Sequence, residues 1–492
     1  MAKLIPVDLT NNKPCILEYT TTDGQMLSFK EDAFESKIVS HTYTDIGKII
    51  FDKPITKIGN SAFSLCYSLT SVTIPDSVTT IGNSAFSSYY SLKSVTIPNS
   101  VTTIGDSAFS LCLSLTSVTI PDSVTSIGER AFSGCISLTS VTIPDSVTTI
   151  GKMAFSVCKS LTSVTIGNGV TTIGNSAFVD CYSLTSVTIG NGVTTIGDSA
   201  FWSCNSLKEF KGKFAADGGR CLIIDGVLYA FALGCGVTQY TIPDSVTTIG
   251  YGAFYSCTRL TSVTIPDSVT TIGDIAFIKC RSLTSVTIPD SVTMIGKSAF
   301  CGCSIKEFKG KFAADGGRCL IIDGVLNTFA IGCGVTQYTI PDSVTTIAER
   351  AFYECSSLTS VTIPDSVTSI GERAFSGCKS LTSVTIPNSV ITIGKSTFSS
   401  CHSLTSVTIP NSVTTIGDYA FSWCSSLTSV TIGKSVSEIG KQAFKECNID
   451  TIVCCSKIPP KIDDSFCKFE NLIVPTGCEE AYANSDWGQY LE

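Results

Sequence analysis

The sequence predicts an α/β repeat solenoid, a curved rod of stacked 23-residue coils, and three observations support this. Phenylalanine recurs at 23-residue spacing in three runs, as in a repeat array. Within each copy, Ser-Val-Thr-Ile alternates polar and apolar residues as a half-buried strand does. A lone coil cannot bury its Leu, Val, Ile and Phe side chains, so the coils must stack. The recurring residues are Phe63, Phe86, Phe109, Phe132, Phe155, Phe178 and Phe201, then Phe254, Phe277 and Phe300, then Phe352, Phe375, Phe398, Phe421 and Phe444.

The first strand of a coil is clear in the copy Ser68–Tyr90. Its segment Leu-Thr-Ser-Val-Thr-Ile has the Leu-x-x-Leu-x-Leu spacing, so Ser71 and Thr73 should face outward. Pro75 ends the strand because proline donates no hydrogen bond to a ladder.

The second half of the same coil turns the chain back. Val78 and Ile81 should point inward on a second short strand, and Gly82 should supply the corner. We expect Ala85 and Phe86 to lie on a single helical turn.

The repeat Leu-x-x-Val-x-Ile-Pro-x-Ser-Val-x-x-Ile-Gly-x-x-Ala-Phe-x-x-Cys resembles the BspA-like (Treponema-type) leucine-rich repeat over about residues 49–455. The resemblance implies a leucine-rich repeat arc. It also implies a protein of a family that is mostly bacterial, often displayed on the cell surface, and active by binding host or microbial partners. It names no partner, because a fold does not fix function.

Composition narrows the classes of partner. The 492 residues include 33 Lys plus Arg against 41 Asp plus Glu, a net charge of −8, with no basic block. Because phosphate backbones require such a block, we expect no nucleic-acid partner. The most apolar stretch, 222–237, is interrupted by Asp225 and Gly226 and is shorter than the roughly 20 residues that cross a bilayer. We see no secretory signal, so the expected location stays open between the surface, secretion and the cytoplasm.

Two longer intervals interrupt the 23-residue register and hold nearly the same sequence. Each contains an Asp-Gly pair between apolar residues, Asp225-Gly226 and Asp323-Gly324, which is a strong signal for a tight hairpin. We predict two β-hairpin inserts, near residues 208–240 and 306–338, that arose by duplication of a larger block.

The ends differ from the repeats as caps should. Residues 1–48 are irregular and polar, and a degenerate first coil begins at Ile49. Another degenerate coil begins at Ile449, and residues 479–490 can form a short closing helix. We predict an N-terminal cap at 1–48, a solenoid at 49–455 and a C-terminal cap at 456–492.

Most of the 24 cysteines occupy one column of the repeat. We interpret this column as buried free thiols, because zinc needs Cys or His pairs two to four residues apart and Tyr89 replaces one member. Disulfides between coils and a metal ladder are the alternatives. The column comprises Cys66, Cys112, Cys135, Cys158, Cys181, Cys204, Cys257, Cys280, Cys303, Cys355, Cys378, Cys401, Cys424 and Cys447. Further candidates are the disulfides Cys221–Cys235 and Cys319–Cys333 and a zinc group of Cys454, Cys455, Cys467 and Cys478.

Residues suited to catalysis are scarce. His41 and His402 are lone imidazoles without an identifiable partner. Asp76 recurs as the Asp of Ile-Pro-Asp-Ser-Val in many coils, which favours turn chemistry over a single catalytic carboxylate. We predict a non-enzymatic protein with no cofactor and no metal.

Differences among the copies indicate where a partner would bind. The strand Ser and Thr hardly change, whereas the positions after the Gly, after Ala-Phe and after the Cys vary. Several of these positions carry aromatic residues, which are favoured anchors at interfaces, and others carry Glu-Arg pairs at 129–130, 349–350 and 372–373. The hairpin inserts are a comparable candidate surface. The predicted partner-binding residues are Tyr67, Tyr90, Tyr182, Trp202, Tyr251, Tyr255, Tyr353, Tyr419 and Trp423.

We therefore predict a binding or adhesion module whose extended surface recognises a protein or glycan. The alternatives are a structural spacer or an intracellular interaction scaffold, in which length itself is selected. The aromatic residues would then be half-buried edge residues without a binding role. The Ser and Thr rows also resemble the hydroxyl arrays of ice-binding solenoids, although the expected curvature and the Ser-for-Thr mixture oppose that interpretation.

Overall fold

The computed structural model describes residues 14–63, 66–466 and 468–491, and within them the backbone winds into stacked coils. Contacts divide the chain into two compact units. The first comprises Met1–Gly236 with Tyr251–Ala253, and the second comprises Val237–Gly250 with Phe254–Glu492. The chain is a β-solenoid of about 18 coils of roughly 23 residues.

In the first unit, each coil strand pairs in parallel with the equivalent strand one coil away. Val141 lies opposite Val164, and Ile150 lies opposite Ile173. The first strands are Leu69–Thr73, Ser94–Thr96, Ser140–Ile143, Ser163–Ile166, Ser186–Thr188 and Glu209–Lys211. The second strands are Lys57–Ile58, Thr80–Ile81, Thr103–Ile104, Ser126–Ile127, Thr149–Ile150, Thr172–Ile173 and Thr195–Ile196.

The second unit repeats this arrangement, with Val430 opposite Ile452 and Ile416 opposite Ile439. The first strands are Gln239–Thr241, Ser262–Thr264, Ser285–Ile288, Glu307–Gly310, Gln337–Thr339, Ser360–Thr362, Ser383–Thr385, Ser406–Ile409, Ser429–Ile432, Ile449–Cys454 and Phe469–Ile473. The second strands are Thr248–Ile249, Thr271–Ile272, Met294–Ile295, Thr346–Ile347, Ser369–Ile370, Thr392–Ile393, Thr415–Ile416, Glu438–Ile439 and Lys461–Ile462.

Each insert contains antiparallel strands. They are Ala215–Ala216, Cys221–Ile224 and Val227–Phe231 in the first insert, and Ala313–Ala314, Cys319–Ile322 and Val325–Phe329 in the second. Asp225 and Gly226 both have positive φ, 49° and 78°, as a type I′ turn requires. In the second unit, Val325–Phe329 also pairs in parallel with Thr346–Ile347, so the hairpin continues the sheet of second strands.

A ladder of phenylalanine rings runs through each unit. In the first unit, consecutive rings from Phe63 to Phe201 have centroids 5.1–5.5 Å apart. From Phe352 to Phe466 in the second unit the spacing is 4.8–5.3 Å. All these rings are buried, and each contributes about 1.5–3 kcal/mol of hydrophobic stabilisation.

The segment around each Ala-Phe is not the helical turn that the sequence predicted. In one coil, Ser84 and Ser88 have φ of 53° and 68°, a left-handed conformation that a right-handed helix excludes. Their N–H groups donate to the next coil, to the carbonyls of Asp106 and Ser110 at 2.8 and 2.7 Å. In every coil, we call the five residues from two before the Phe to two after it the turn segment. In this coil they are residues 84–88. The helices of the described chain lie outside the coils, at Glu31–Ala33, Glu479–Ala483 and Asp486–Tyr490.

Side chains add further bonds between coils. The Ser100 hydroxyl donates to the carbonyl of Val78 at 2.6 Å, and the Asn168 N–H donates to Asp145 Oδ1 at 2.6 Å. The turn chemistry that the sequence predicts has the Asp and Ser side chains of this motif bonded to local backbone donors. Where these bonds form, they instead join neighbouring coils, because stacking brings equivalent residues within hydrogen-bond reach.

Separate strands and helices close the described ends. Three antiparallel strands precede the coils, Cys15–Thr21, Ile38–Tyr43 and Gly47–Phe51, and Cys15–Thr21 pairs with the first coil strand. At the other end, the Trp487 indole is buried and donates to the carbonyl of Pro460 at 2.8 Å. No helix in the described part of the chain has the length and hydrophobicity needed to cross a membrane.

Candidate recognition surface

The aromatic residues predicted to bind a partner lie on the turn segments or beside them. Five of the nine are exposed: Tyr67 (56%), Tyr90 (55%), Trp423 (52%), Tyr182 (40%) and Tyr251 (40%). The other four, Trp202, Tyr255, Tyr353 and Tyr419, are half-buried. The nine residues occupy five different columns of the repeat, so the structure does not bring them together as one cluster.

Two of the nine form a stacked pair in the first unit. The rings of Trp202 and Tyr251 have centroids 5.6 Å apart and planes within 1° of parallel. Gly252 has a φ of 56°, and a Cβ there would overlap the Trp202 ring. Most other copies carry a side chain at this position, so glycine here is specifically required by the tryptophan.

A carboxylate and a tyrosine lie one coil before this pair. Asp180 is half-buried, has a φ of 60°, and donates its N–H to the carbonyl of Trp202 at 2.9 Å. Partial burial, then the charge of Asp180 and a hydrogen bond to it, raise the pKa of Tyr182. Within the described residues, Asp180 forms no ion pair. We define patch 1 as Asp180, Tyr182, Trp202, Tyr251 and Gly252.

The coils on either side of the second insert carry charged residues at positions equivalent to those of patch 1. Arg350 pairs with Glu349, and its Nη1 donates to Ser298 Oγ at 3.5 Å. Arg281 Nη2 lies 3.8 Å from Glu354 Oε2. We define patch 2 by its equivalence to patch 1, residue for residue in the same order, as Lys279, Arg281, Cys301, Glu349 and Arg350.

Lys279 is the remaining charged member of patch 2, and its partner also lies within the second unit. Lys279 Nζ lies 5.8 Å from the centroid of the Tyr255 ring, a cation–π contact. Cys301 is 3% exposed, and burial raises the pKa of its thiol to about 12. Burial and the neighbouring Glu354 raise the pKa of Tyr353. The cations of patch 2 thus have partners inside the chain.

The two patches flank inserts that are almost identical. Residues 208–249 and 306–347 differ at three positions, Tyr229/Asn327, Ala230/Thr328 and Leu233/Ile331. In the patches themselves, all five equivalent residues differ in chemical type. The chain therefore presents two different surfaces beside one duplicated framework.

The cysteine column has a clear structural role. The Cys112 thiol donates to the carbonyl of Phe86 at 3.1 Å, and Cys424 donates to that of Phe398 at 3.2 Å. Burial raises the pKa of both thiols well above the usual range. Tyr89, which replaces one column thiol, is fully buried, and its hydroxyl has no hydrogen-bond partner among the residues that the structure describes.

The other cysteine candidates stay separate. Cys221 and Cys319 are buried beside the carbonyls of Ala216 and Ala314 at 3.7 and 3.8 Å, and no described cysteine is in a disulfide. No group of three or more His, Cys, Asp or Glu residues suited to a metal was found in the described ranges. Of the predicted zinc group, Cys454 accepts from the Tyr482 hydroxyl at 3.0 Å, Cys455 is exposed, Cys478 is half-buried, and Cys467 lies outside the described residues.

His41 has a partner that the sequence did not suggest. The Tyr19 hydroxyl accepts the N–H of Leu27 at 3.2 Å and is hydrogen-bonded to His41 Nε2 at 2.5 Å. Burial lowers the pKa of His41, and the charge of Glu31 opposes this shift. The contact joins the strands before the coils and suggests no chemistry. His402 is half-buried, and its backbone carbonyl accepts a hydrogen bond from the N–H of Ser426 at 3.2 Å.

One exposed threonine row, Thr102, Thr125, Thr148 and Thr171, is tied to the backbone. Thr171 Oγ1 donates to the carbonyl of Thr148 at 3.1 Å, and this bond recurs from coil to coil. Each such hydroxyl has used its only proton, so the row presents acceptors to solvent.

Sequence reasoning missed Asp180 and Gly252 as members of patch 1. Both stand in turn-segment columns that vary between copies, but neither is aromatic. Aligning the coils that precede the first insert with those that precede the second would have shown that Lys279 stands where Asp180 stands.

Stacked coils, parallel strand pairs and a Leu, Val, Ile and Phe core define a solenoid of the leucine-rich repeat class. A model of the BspA type leucine rich repeat region matches residues 35–135, 102–214, 228–311 and 326–450. The chain belongs to this family.

Solved structures of similar chains come from several bacteria. A leucine rich cell surface protein of Faecalibacterium prausnitzii is 26% identical, with a TM-score of 0.49, over 95% of this chain and 99% of that one. A leucine-rich repeat protein of Bacteroides ovatus is 26% identical, with a TM-score of 0.43, over 94% and 100%. The pneumococcal vaccine antigen PcpA is 16% identical, with a TM-score of 0.36, over 94% and 96%. Comparison with curated proteins finds no significant match.

Proposed function

We propose that this protein is a non-enzymatic recognition module whose turn-segment patches contact a protein or glycan partner. One observation carries the proposal: the duplicated inserts differ at three of 42 aligned positions, whereas all five paired patch residues change chemical type. A framework that stays constant while its neighbouring surface diverges is the pattern expected where contact chemistry is selected.

Trp423 supports the same proposal from another coil. It has a φ of 63°, where a non-glycine residue costs about 1–2 kcal/mol. Its N–H donates to the carbonyl of Lys445 at 2.7 Å, so the bond between coils that fixes this conformation elsewhere fixes it here as well. The indole itself leaves 52% of the residue's surface in solvent. A partner that covers the indole would bury this surface, and tryptophan is a favoured interface anchor.

The experiment replaces four patch 1 residues with those that other copies hold: Asp180→Ser, Tyr182→Ser, Trp202→Ser and Tyr251→Asn. A matched control carries Thr102→Ser, Thr125→Ser, Thr148→Ser and Thr171→Ser, which keep the hydroxyl bonds of an exposed row. The full chain and both variants are titrated over immobilised matrix proteins and glycans, after circular dichroism has established that they fold.

We expect the patch variant to lose at least about tenfold in affinity, as removal of interface anchors does, while the control binds like the original chain. Equal binding by all three proteins would overturn the proposal. So would failure of the original chain to bind any member of the panel.

The structural spacer is the second candidate function. The buried core of each unit favours it, because stacked coils of fixed rise set a distance within that unit. Removing one coil, residues 140–162, keeps the register and shortens the array. If the chain acts as a spacer, this deletion reduces the protein's activity in the source cell, whereas the four-residue patch 1 variant leaves that activity unchanged.

A further inference from the structure

We propose that patch 1 binds a cationic side chain, arginine or lysine, of a partner protein. This inference rests on the proposed recognition function and names the chemistry of one of its contacts. It follows from the ring pair, from the carboxylate beside it, and from the partners that cations find in patch 2.

The first step concerns the rings. Trp202 and Tyr251 are parallel at 5.6 Å, and Tyr251 keeps 40% of its surface in solvent. Aromatic faces attract cations through their quadrupoles, and tryptophan does so most strongly. A guanidinium also stacks flat on such rings, which makes arginine the better fit of the two cations.

The second step concerns Asp180. It is half-buried and lies two residues after Phe178, in a turn segment. Its own N–H donates to the carbonyl of Trp202, and no described cation forms an ion pair with its carboxylate. Its side chain is hydrogen-bonded to the hydroxyl of Tyr182. A carboxylate bonded to one hydroxyl retains further acceptor positions. The backbone bond from Asp180 to Trp202 holds this carboxylate on the coil next to the ring pair, where it adds a negative charge to patch 1.

The third step compares the equivalent positions of patch 2. There Arg350 pairs with Glu349, Arg281 lies 3.8 Å from Glu354, and Lys279 contacts the ring of Tyr255. Each cation has an anionic or aromatic partner within the unit. Patch 1 keeps an anion and two rings, and no described cation forms an ion pair with Asp180, so we assign that cation to the partner.

The observations favour a cation over a sugar. Aromatic rings stack on sugars as well, but sugar binding does not need the full charge of Asp180. The net charge of the chain, −8, also favours encounter with a basic partner.

The experiment uses the full chain and a fluorescein-labelled octapeptide of alternating glycine and arginine. The matched probe replaces every arginine with citrulline, which has the same shape without the charge. Fluorescence anisotropy at low salt measures both affinities. We expect the arginine peptide to bind at least about tenfold more tightly, as a cation–π contact combined with an ion pair predicts.

Variants locate the contact. Asp180→Asn preserves shape and suits a positive φ, and Trp202→Leu removes the ring. We expect each variant to weaken arginine-peptide binding about fivefold or more and to leave citrulline-peptide binding unchanged. The control variant Glu354→Gln, at the ion-pair partner of Arg281 beside patch 2, should leave both affinities unchanged.

Equal binding of the two peptides, or full binding by Asp180→Asn, would overturn the inference. Binding of a chitin hexasaccharide that is lost in Trp202→Leu but retained in Asp180→Asn would overturn it in favour of a glycan, while the proposed recognition function stands. If the peptides discriminate as expected but the four-residue patch variant still binds its panel partner fully, the proposed function fails and the cation site remains.

Discussion

Patch 1 and patch 2 occupy equivalent places beside two nearly identical inserts, yet patch 1 is aromatic with a carboxylate that pairs with no described cation, whereas the cations of patch 2 have anionic or aromatic partners within their unit. The backbone beneath them is the same. Asp180 donates its N–H to the carbonyl of Trp202 at 2.9 Å, and Lys279 donates to that of Cys301 at 2.8 Å. Because backbone bonds hold the turn segment, its side chains can change without altering the stacking.

The largest effect should come from breaking the framework that both patches share. Phe210 and Phe308 are buried and pack edge-on to Phe201 and Phe300, at 5.4 and 5.7 Å. Phe210→Ala and Phe308→Ala should each lower the free energy of unfolding by about 3–5 kcal/mol. Urea denaturation followed by circular dichroism measures both. A loss at one site more than twice that at the other would contradict a common framework.

Exchanging the patch residues should be unequal in its effects. Gly252→Arg places a side chain in the space of the Trp202 ring and should destabilise by about 2 kcal/mol. Arg350→Gly should be nearly neutral, because glycine relieves about 1 kcal/mol at a φ of 57° and thereby offsets the lost ion pair.

Thermal unfolding of the two single variants and of the double variant Trp202→Ala with Gly252→Arg measures this inequality. Removing the ring should restore most of the lost stability. A double variant no more stable than Gly252→Arg alone would show that the ring is not the cause.

A smaller and equal effect is expected at the thiols beneath the patches. Cys204 donates to the carbonyl of Phe178 at 3.3 Å, and Cys303 donates to that of Phe277 at 2.9 Å. Cys204→Ala and Cys303→Ala should each cost about 1 kcal/mol, the value of one modest hydrogen bond. Urea midpoints of the two variants should agree. Divergence would mean that the patch above affects the thiol.

The smallest effect should come from the ion pairs of patch 2. Arg281 and Glu354 expose 63% and 41% of their side chains, so solvent screens their attraction. Glu354→Gln should change stability by less than about 0.5 kcal/mol, and 1 M salt should remove the difference. A larger, salt-resistant loss would show that patch 2 contributes to the fold.

The period of the fold was predictable because every coil repeats the same buried residues. Phe86 and Val78 are spaced as the stacking needs, and their burial follows from that spacing. The turn segment was not predictable. Ser84 and Ser88 take positive φ although nothing in serine favours it. Bonds to the next coil impose that conformation, and a single repeat does not reveal them.

The candidate site was partly predictable. Exposure of Tyr67, Tyr90 and Trp423 followed from their columns, since those positions vary without disturbing the core. The pairing of Trp202 with Tyr251 was not predictable, because an insert of about 30 residues separates their coils in the sequence. Only the fold reveals that Gly252 makes room for the ring.

The turn segments give the array a chemical direction. Within each unit, N–H groups of this segment donate from one coil to the next in most coils, as Phe86 donates to the carbonyl of Ala108 at 2.8 Å. In such a series, called the track below, the carbonyls of the first turn segment and the N–H groups of the last one lack a neighbouring coil to bond with. The first end therefore needs hydrogen-bond donors, and the last end needs acceptors. Lys30 donates to the carbonyl of Ala62 at the start, whereas the carbonyl of Ser465 accepts from Phe444 at the finish. The two closures cannot be interchanged, and any added coil must enter the track with the same polarity.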